Sequence, residues 1–213
     1  MEFLAGVAAY VAEHREALLG AVRTHVLLSA AALALAALPA LPLGVAAARG
    51  RAAAALVTAG AGVFRVVPSL AILVLILPYL GLGFAPALVA LTLLAAPPIL
   101  LNTAAAYGGV DAAVLEAARG MGLSARQVFW TIETPLALPV VVAGLRTAAV
   151  EVVASATLAA FIGGGGLGEF IVNGLGMSDW RALLAGALPV AALALLVEGC
   201  FAAGERIART LTA

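Results

Sequence analysis

Two long runs without a charged residue constrain the fold of this chain more than any other feature. Residues 26–48 contain no Asp, Glu, Lys or Arg, and neither do residues 66–110. A helix needs about 20 predominantly apolar residues to cross the hydrocarbon core of a bilayer. The first run is long enough for one such helix. The second is long enough for two, with the turn GLGFAP (81–86) between them. The chain is therefore predicted to cross a membrane repeatedly.

The composition excludes a soluble domain. The 213 residues are 65% hydrophobic and 10% charged, with a mean hydropathy of +1.18. Soluble domains carry about 25% charged residues. The formal net charge is zero, so neither nucleic acid nor a purely electrostatic attachment to a membrane is indicated. The single cysteine, Cys200, is interpreted as a small core residue that forms no internal disulfide.

Two more apolar segments complete an all-α, polytopic architecture with about five transmembrane helices. They lie at about residues 138–161 and 182–204. We expect three parts: residues 1–25 as an external or interfacial helix, residues 26–205 as the transmembrane domain and residues 206–213 as a cytoplasmic tail. A cytoplasmic loop at residues 108–135 is expected within the second part. Five spans are too few to enclose a pathway alone, so a second membrane subunit is predicted, either identical or related.

The arginines indicate how the chain is oriented. All eleven basic residues are arginine. Three pairs follow the first, third and fifth spans: Arg49 and Arg51, Arg119 and Arg126, Arg206 and Arg209. On the opposite side, Arg15, Arg23 and Arg181 are largely offset by nearby acids. Because basic residues concentrate on the cytoplasmic side, the amino terminus is predicted outside and the carboxyl terminus inside.

One compact polar segment, residues 110–139, interrupts the apolar pattern on the predicted cytoplasmic side. Gly108 and Gly109 favour a break after span three. Asp111 is suited to cap a short helix over about residues 111–121, because its carboxylate can accept hydrogen bonds from unpaired backbone N–H groups. Gly120 and Gly122 are predicted to end that helix.

A second short helix follows in this segment. Ser124 and Gln127 have the spacing of a capping box. Pro135 and Pro139 are predicted to stop this helix and to start span four. The sequence therefore predicts a helix–turn–helix at the membrane surface rather than a tether.

The sequences EAARGMG (116–122) and IETP (132–135) resemble the EAA loop of bacterial ABC-importer permeases. Thr134 stands where that family usually has leucine, and threonine before proline is expected to keep an extended backbone. Six positions match the family pattern: Glu116, Ala117, Ala118, Gly122, Ile132 and Pro135. The resemblance implies the MetI-like type I permease fold and assigns these six residues to coupling with the ATPase.

The same resemblance implies the partner subunits of the importer. The EAA loop forms a coupling helix that docks on a separate ATP-binding subunit, so ATP–Mg belongs to that partner and no cofactor or catalytic residue is expected here. An extracytoplasmic substrate-binding protein would select the solute. Location in the bacterial cytoplasmic (inner) membrane and alternating access are implied as well.

Three further stretches resemble the branch of that family that takes up osmoprotectants. They are residues 68–83, residues 97–111 and residues 138–171. Glycine betaine, choline and carnitine are the solutes implied, and a betaine-like thione, an amino acid or methionine stays an alternative.

The run GGGGLG (163–168) has two interpretations. It lacks the lysine of a phosphate-binding loop, because the chain contains no lysine, and it lies on the outer side. A tight turn, in which glycines allow close backbone approach, is the structural interpretation. Docking of the binding protein on Gly163, Gly164, Gly165 and Gly166 is the functional one.

Three ionisable residues are predicted within or close to the hydrocarbon, where a charge costs about 2.5–3.5 kcal/mol on insertion scales. Arg65 and Arg146 are placed in the inner parts of spans two and four, either snorkelling to headgroups or lining the pathway. Glu151 lies close to the midplane and is about 140° around the helix from Arg146. It therefore faces a structural partner on another helix or a pathway for a cationic solute.

An intramembrane enzyme or a scaffold is a remote alternative. His14 and His25 are placed outside or at a span's mouth, with no second ligand at metal spacing, so no metal site is predicted. Cys200 has no evident base beside it. Trp130 and Trp180 fit aromatic anchors at the membrane interface.

The predicted orientation can be tested with single cysteines in a Cys200→Ala background. Gly50→Cys and Ser124→Cys should resist an impermeant thiol reagent in intact cells, because both positions are predicted to be cytoplasmic. Ser178→Cys, on the other side, should be labelled. Labelling of the first two variants from outside would reverse the orientation.

Overall fold

The computed structural model describes residues 2–210, except the side chains of residues 2–4 and 63–65. The described chain is helical throughout and contains no strand, which confirms the all-α prediction. Ten α-helices follow one another: α1 (Glu2–Glu13), α2 (Arg15–Ala48), α3 (Arg51–Val66), α4 (Ser69–Leu80), α5 (Phe84–Gly108), α6 (Ala112–Gly120), α7 (Ala125–Gln127), α8 (Thr134–Ser155), α9 (Gly168–Gly176) and α10 (Trp180–Thr210). A π-helical turn (Val128–Glu133) precedes α8, and a 3-10 helix (Ala156–Ile162) follows it.

Among the residues that the structure describes, four helical stretches are long and apolar enough to cross a membrane: α2, α5, the continuous stretch Ala125–Ile162, and α10. The predicted second span is not one helix, because the chain breaks at Val67 and Pro68 between α3 and α4. Proline disfavours the helical conformation of the residue before it and cannot donate a backbone hydrogen bond. Two shorter helices therefore occupy the place of one long span.

The described helices belong to two compact units. Unit 1 contains Met1–Leu35, Val67–Ala95 and Ala149–Val197, and unit 2 contains Ala36–Val66, Ala96–Ala148 and Glu198–Ala213. The chain thus passes from one unit to the other five times, after Leu35, Val66, Ala95, Ala148 and Val197. Four passages lie within α2, α5, α8 and α10, and the fifth lies at the break between α3 and α4. Among the described residues, the four long apolar stretches and the shorter apolar helix α4 agree with about five spans.

The amino-terminal region differs from the expected boundary. The break between α1 and α2 lies at His14, and α2 begins at Arg15 rather than near residue 26. Leu18 and Ala21 of α2 form a buried cluster with Leu167, against which Val11 and Phe170 pack. The segment before the first uncharged run is therefore part of the packed unit 1.

Small residues bring helices of unit 2 close together. A Cβ atom on Gly144 of α8 would lie 2.4 Å from Cβ of Asn102 on α5. A Cβ atom on Gly44 of α2 would lie 2.6 Å from Cβ of Thr103, also on α5. Helices in membranes associate through such small residues, because lipid chains are as apolar as leucine and packing must supply the attraction.

The prediction that Pro135 and Pro139 stop the second short helix is wrong. Helical backbone runs without a break from Ala125 to Ile162. Proline in a helix normally clashes with the carbonyl four residues earlier. The π-helical turn directly before α8 changes the spacing of backbone hydrogen bonds where Pro135 would otherwise clash. Thr134 is consequently helical (φ −63°, ψ −47°), not extended as expected.

The close contact of α5 and α8 generates a stability prediction. Gly144→Ala should destabilise the permease fold by about 1–3 kcal/mol, the usual cost of overpacking, because its new methyl group overlaps Asn102. Gly199→Ala in α10 is the matched control, since a Cβ atom there meets nothing within 4 Å. Thermal unfolding in detergent should show a lower midpoint for Gly144→Ala only. Equal midpoints would contradict the close packing.

Candidate functional site

The polar segment forms the predicted short helix. Asp111 adopts an extended conformation and its Oδ1 accepts a hydrogen bond from the Ala113 backbone N–H at 2.9 Å. Helix α6 then runs from Ala112 to Gly120, as the capping pattern predicts. The cap satisfies an N–H group that the helix cannot pair internally.

The three residues of the EAA sequence differ in exposure. Ala118 is 2% exposed, whereas Glu116 and Ala117 are exposed. The inward alanine packs within the chain, and the acid and the first alanine face outward. Ala118 is therefore not available to a partner. Val114 stays exposed.

Gly122 forms the turn after α6 in a conformation that only glycine adopts easily. Its φ is +88°, in the left-handed region. Within the chain, a Cβ atom on Gly122 would meet nothing within 4 Å. Within the chain itself, the requirement for glycine therefore comes from the backbone dihedral.

The second arm of the segment begins with the predicted capping box. The Ser124 hydroxyl accepts from the Gln127 backbone N–H, and the Gln127 side chain accepts from the Ser124 backbone N–H at 2.9 Å. Ile132 and Pro135 are half-buried. The six residues of the EAA pattern thus lie within one continuous segment, from α6 to the start of α8.

An ion pair that the sequence did not reveal joins this arm to the end of α2. Arg49 Nη1 and Nη2 donate to the two carboxylate oxygens of Glu133 at 2.7 and 2.8 Å. The side chain of Glu133 is only 4% exposed. The residues are 84 positions apart, so no local pattern connects them. The only signal in the sequence was an acidic residue next to the apolar start of span four.

Arg146 has acidic neighbours that its sequence context did not indicate. Arg146 Nη1 donates to Glu205 Oε2 at 3.0 Å, and its Nε lies 3.6 Å from Glu198 Oε1. Arg209 also donates to Glu205. These contacts join α8 to the end of α10 and give Arg146 a structural role in addition to the predicted alternatives. The side chain of Arg65 lies outside the described residues.

Glu151 is exposed on α8, in the single chain. It belongs to unit 1, whereas Arg146 belongs to unit 2. Its proposed role in the pathway stays a prediction.

The glycine run has a structural reason at each position. Gly163, Gly165 and Gly166 have φ values of +71°, +79° and +86°. At Gly164 the reason is space, because a Cβ atom there would lie 2.7 Å from Cβ of Ala87. Its N–H also donates to Ala159 O at 2.8 Å and helps to cap the 3-10 helix. Gly164 and Gly166 are buried, so a docking protein would reach Gly163 more readily. The docking role stays a prediction.

Two residues outside these sites differ from their sequence interpretation. His25 is 1% exposed rather than at an interface, and its Nε2 lies 3.0 Å from the Val153 carbonyl oxygen. Cys200 is exposed in the single chain, not a core residue. Among the described residues, no group of three or more His, Cys, Asp or Glu side chains could hold a metal ion.

The sequence matches the family described as the binding-protein-dependent transport system inner membrane component over residues 40–207. The chain belongs to this family. It is therefore a multi-pass membrane permease of a transport system rather than an enzyme. The EAA sequence that suggested the assignment is typical of the family.

Individual relatives agree with this assignment. The chain is 44% identical to the carnitine transport permease protein OpuCB of Listeria monocytogenes over 181 residues, 85% of this chain and 82% of the relative. It is 40% identical to the glycine betaine/carnitine/choline transport system permease protein OpuCB of Bacillus subtilis over 182 residues, 85% and 84% of the two chains. A chain of the MetNI methionine ABC transporter, solved in an inward-facing conformation, superposes with a TM-score of 0.81 at 25% identity, covering 94% of this chain and 99% of that one. The MetI-like fold is thereby confirmed.

Proposed function

We propose that this chain is the membrane-spanning subunit of an ATP-driven importer that takes up an osmoprotectant such as glycine betaine, choline or carnitine. Family membership supports the permease role. The solute class is supported by the relatives, whose names include carnitine, glycine betaine and choline permeases. An amino acid or a betaine-like thione as cargo is the alternative, since the similar MetNI structure belongs to a methionine transporter.

The exposed side of α6 carries the coupling part of this proposal. Glu116 and Ala117 face outward on a helix whose other EAA residue is buried. The exposed Val114 and Met121 (73% exposed) add apolar surface at the two ends of the same helix. A short helix with an acid, a small residue and apolar neighbours suits a groove on a partner protein. The partner is a separate ATP-binding subunit, which holds ATP and Mg²⁺.

The proposed importer also contains a second permease and a binding protein, because about five spans are too few to enclose a pathway alone. A second permease, identical or related, completes the pathway, and an extracytoplasmic binding protein delivers the solute. The exposed faces of the spans contact lipid or that second permease. ATP closes the ATPase subunits, the coupling helices move, and the pathway opens alternately to the two sides.

The arginine distribution supports the orientation in a bacterial cytoplasmic membrane. The amino terminus is outside, and α6 and the carboxyl terminus are cytoplasmic. The ATPase subunit is therefore on the side where ATP is present.

Coupling through α6 can be tested by inverting one charge. Glu116→Lys should leave the spans inserted but weaken association with the ATPase subunit and abolish solute uptake, because a basic residue would face the docking groove. Glu13→Lys, at an equally exposed acid of α1, is the control. ATPase co-purification and uptake into proteoliposomes measure the effect.

A second pair of variants separates backbone geometry from charge. Gly122→Ala should strain the turn because of its positive φ, whereas Gly120→Ala has no such strain and a Cβ atom there meets nothing within 4 Å. Wild-type uptake and association for Glu116→Lys and Gly122→Ala together would show that the segment is only a surface loop.

The acid in span four offers a test of the pathway. Glu151→Gln should lower transport of cationic choline more than transport of zwitterionic glycine betaine, because the carboxylate attracts a net positive charge. Glu169→Gln, at another exposed acid of unit 1, is the control. Uptake of both solutes by reconstituted importer is the measurement. Equal uptake of both solutes by Glu151→Gln and wild type would remove Glu151 from the pathway.

A further inference from the structure

The ion pair of Arg49 and Glu133 lies at the junction between the polar segment and the spans. Arg49 directly follows α2, and Glu133 is the last residue of the π-helical turn before α8. Both nitrogens at the tip of the guanidinium engage the carboxylate, at 2.7 and 2.8 Å. Such a two-point contact fixes the direction as well as the distance between two groups. The contact thereby fixes the position of the end of α2 relative to the start of α8.

Aromatic side chains extend this contact to the end of α5. The Arg49 guanidinium carbon lies 5.8 Å from the centre of the Phe129 ring. Phe129 stacks on Tyr107 with ring centres 5.7 Å apart. The Tyr107 hydroxyl donates to Thr134 Oγ1 at 3.1 Å. We call Arg49, Tyr107, Phe129, Glu133 and Thr134 the junction cluster.

Thr134 explains a departure from the family pattern. It stands where leucine is usual in the EAA loop, and a leucine could not accept the hydrogen bond of Tyr107. The threonine therefore belongs to a local set of polar contacts. Four of the five cluster residues carry a polar group, and three side-chain hydrogen bonds connect them.

The junction cluster is also connected to α6. Helix α6 lies against the π-helical turn, in which Val128 is buried as Ala118 is in α6. A displacement of α6 therefore acts on the turn that contains Phe129 and Glu133. Glu133 in turn contacts Arg49 at the end of α2, and Phe129 contacts Tyr107 near the end of α5.

We propose that Arg49 and Glu133 are positioning residues that transmit movement of α6 to α2 during transport. The inference rests on the proposed coupling role of α6 and adds a route from that helix into the spans. The side chain of Glu133 is 4% exposed, so the carboxylate of the pair is not part of the docking surface. Loss of the pair should therefore spare binding of the ATPase subunit and impair the response of the ATPase to the loaded binding protein.

The experiment uses the complete importer, with binding protein, in proteoliposomes. The variants are Arg49→Gln, Glu133→Gln and Arg49→Lys, and the matched control is Arg51→Gln, at an exposed arginine at the start of α3. Lysine keeps the charge but cannot offer the planar two-point contact. ATPase association, the ratio of stimulated to basal ATPase activity and solute uptake are measured.

We expect both glutamine variants to retain ATPase association and basal activity while stimulation and uptake are lost. Arg49→Lys should fall between these variants and wild type, and Arg51→Gln should match wild type. A merely structural pair would change the amount of assembled importer but not the stimulation ratio of what assembles.

Three results would overturn the proposal. Wild-type stimulation in both glutamine variants would show that the pair transmits nothing. Loss of ATPase association would place the pair in shaping the docking surface, and the Glu116→Lys test would then still stand on its own. If the glutamine variants fail to accumulate, wild-type stimulation in Arg49→Lys would show that the two-point contact is dispensable.

Discussion

The need to pair every backbone N–H and C=O group without water determines most of this structure. In hydrocarbon an unpaired group costs several kcal/mol, so spans must be helical and breaks must be repaired locally. Two glycines provide such a repair at the end of the 3-10 helix. The N–H of Gly164, which follows this helix, pairs with Ala159 O at 2.8 Å, and the N–H of Gly83, which precedes α5, pairs with Ile162 O at 2.7 Å. The π-helical turn directly before Pro135 is a second local change in hydrogen-bond spacing, and the helix continues through it. Prolines elsewhere, such as Pro97 and Pro98 in α5, lie inside a helix without such a turn.

The same shortage of water determines where charges are kept. Arg49 pairs with Glu133, and Arg146 contacts Glu198 and Glu205, so these charges are neutralised by partners within the chain. The Arg49 side chain is 49% exposed, so solvent screens its charge in part and the loss of one partner costs less than it would in a fully buried pair. The exposed charges of α6 need no such partner where they face an aqueous compartment. Pairing within the chain therefore distinguishes two groups of charged residues. Paired charges join helices to one another, and exposed charges without such a role are available to another protein.

Features that depend on near neighbours could be predicted from the sequence, whereas pairings between distant segments could not. Asp111 and the pair Ser124 and Gln127 act within a few residues, and the predicted helix and capping box are present. Arg49 and Glu133 meet across 84 positions, and Arg146 and Glu205 across 59, so periodicity gave no sign of either contact. The burial of His25 was missed for the same reason, since its hydrogen-bond partner, Val153, lies 128 positions away. Pro68 was a local signal that span two is divided. The long uncharged run around it favoured one continuous span instead.

The contacts of α6 bear on how force reaches the spans. Among the residues described in α6, Ala118 is buried and Leu115 is half-buried, so the helix buries little apolar area that would resist displacement. At about 25 cal/mol per Å² of apolar area, so small a contact cannot hold a helix firmly by itself. A partner that pulls on α6 would therefore move it with little resistance unless the adjoining π-helical turn were anchored. The two-point ion pair and the Tyr107 hydrogen bond anchor that turn to the ends of α2 and α5. Resistance, and hence transmitted force, is concentrated at the junction cluster rather than at the helix that docks.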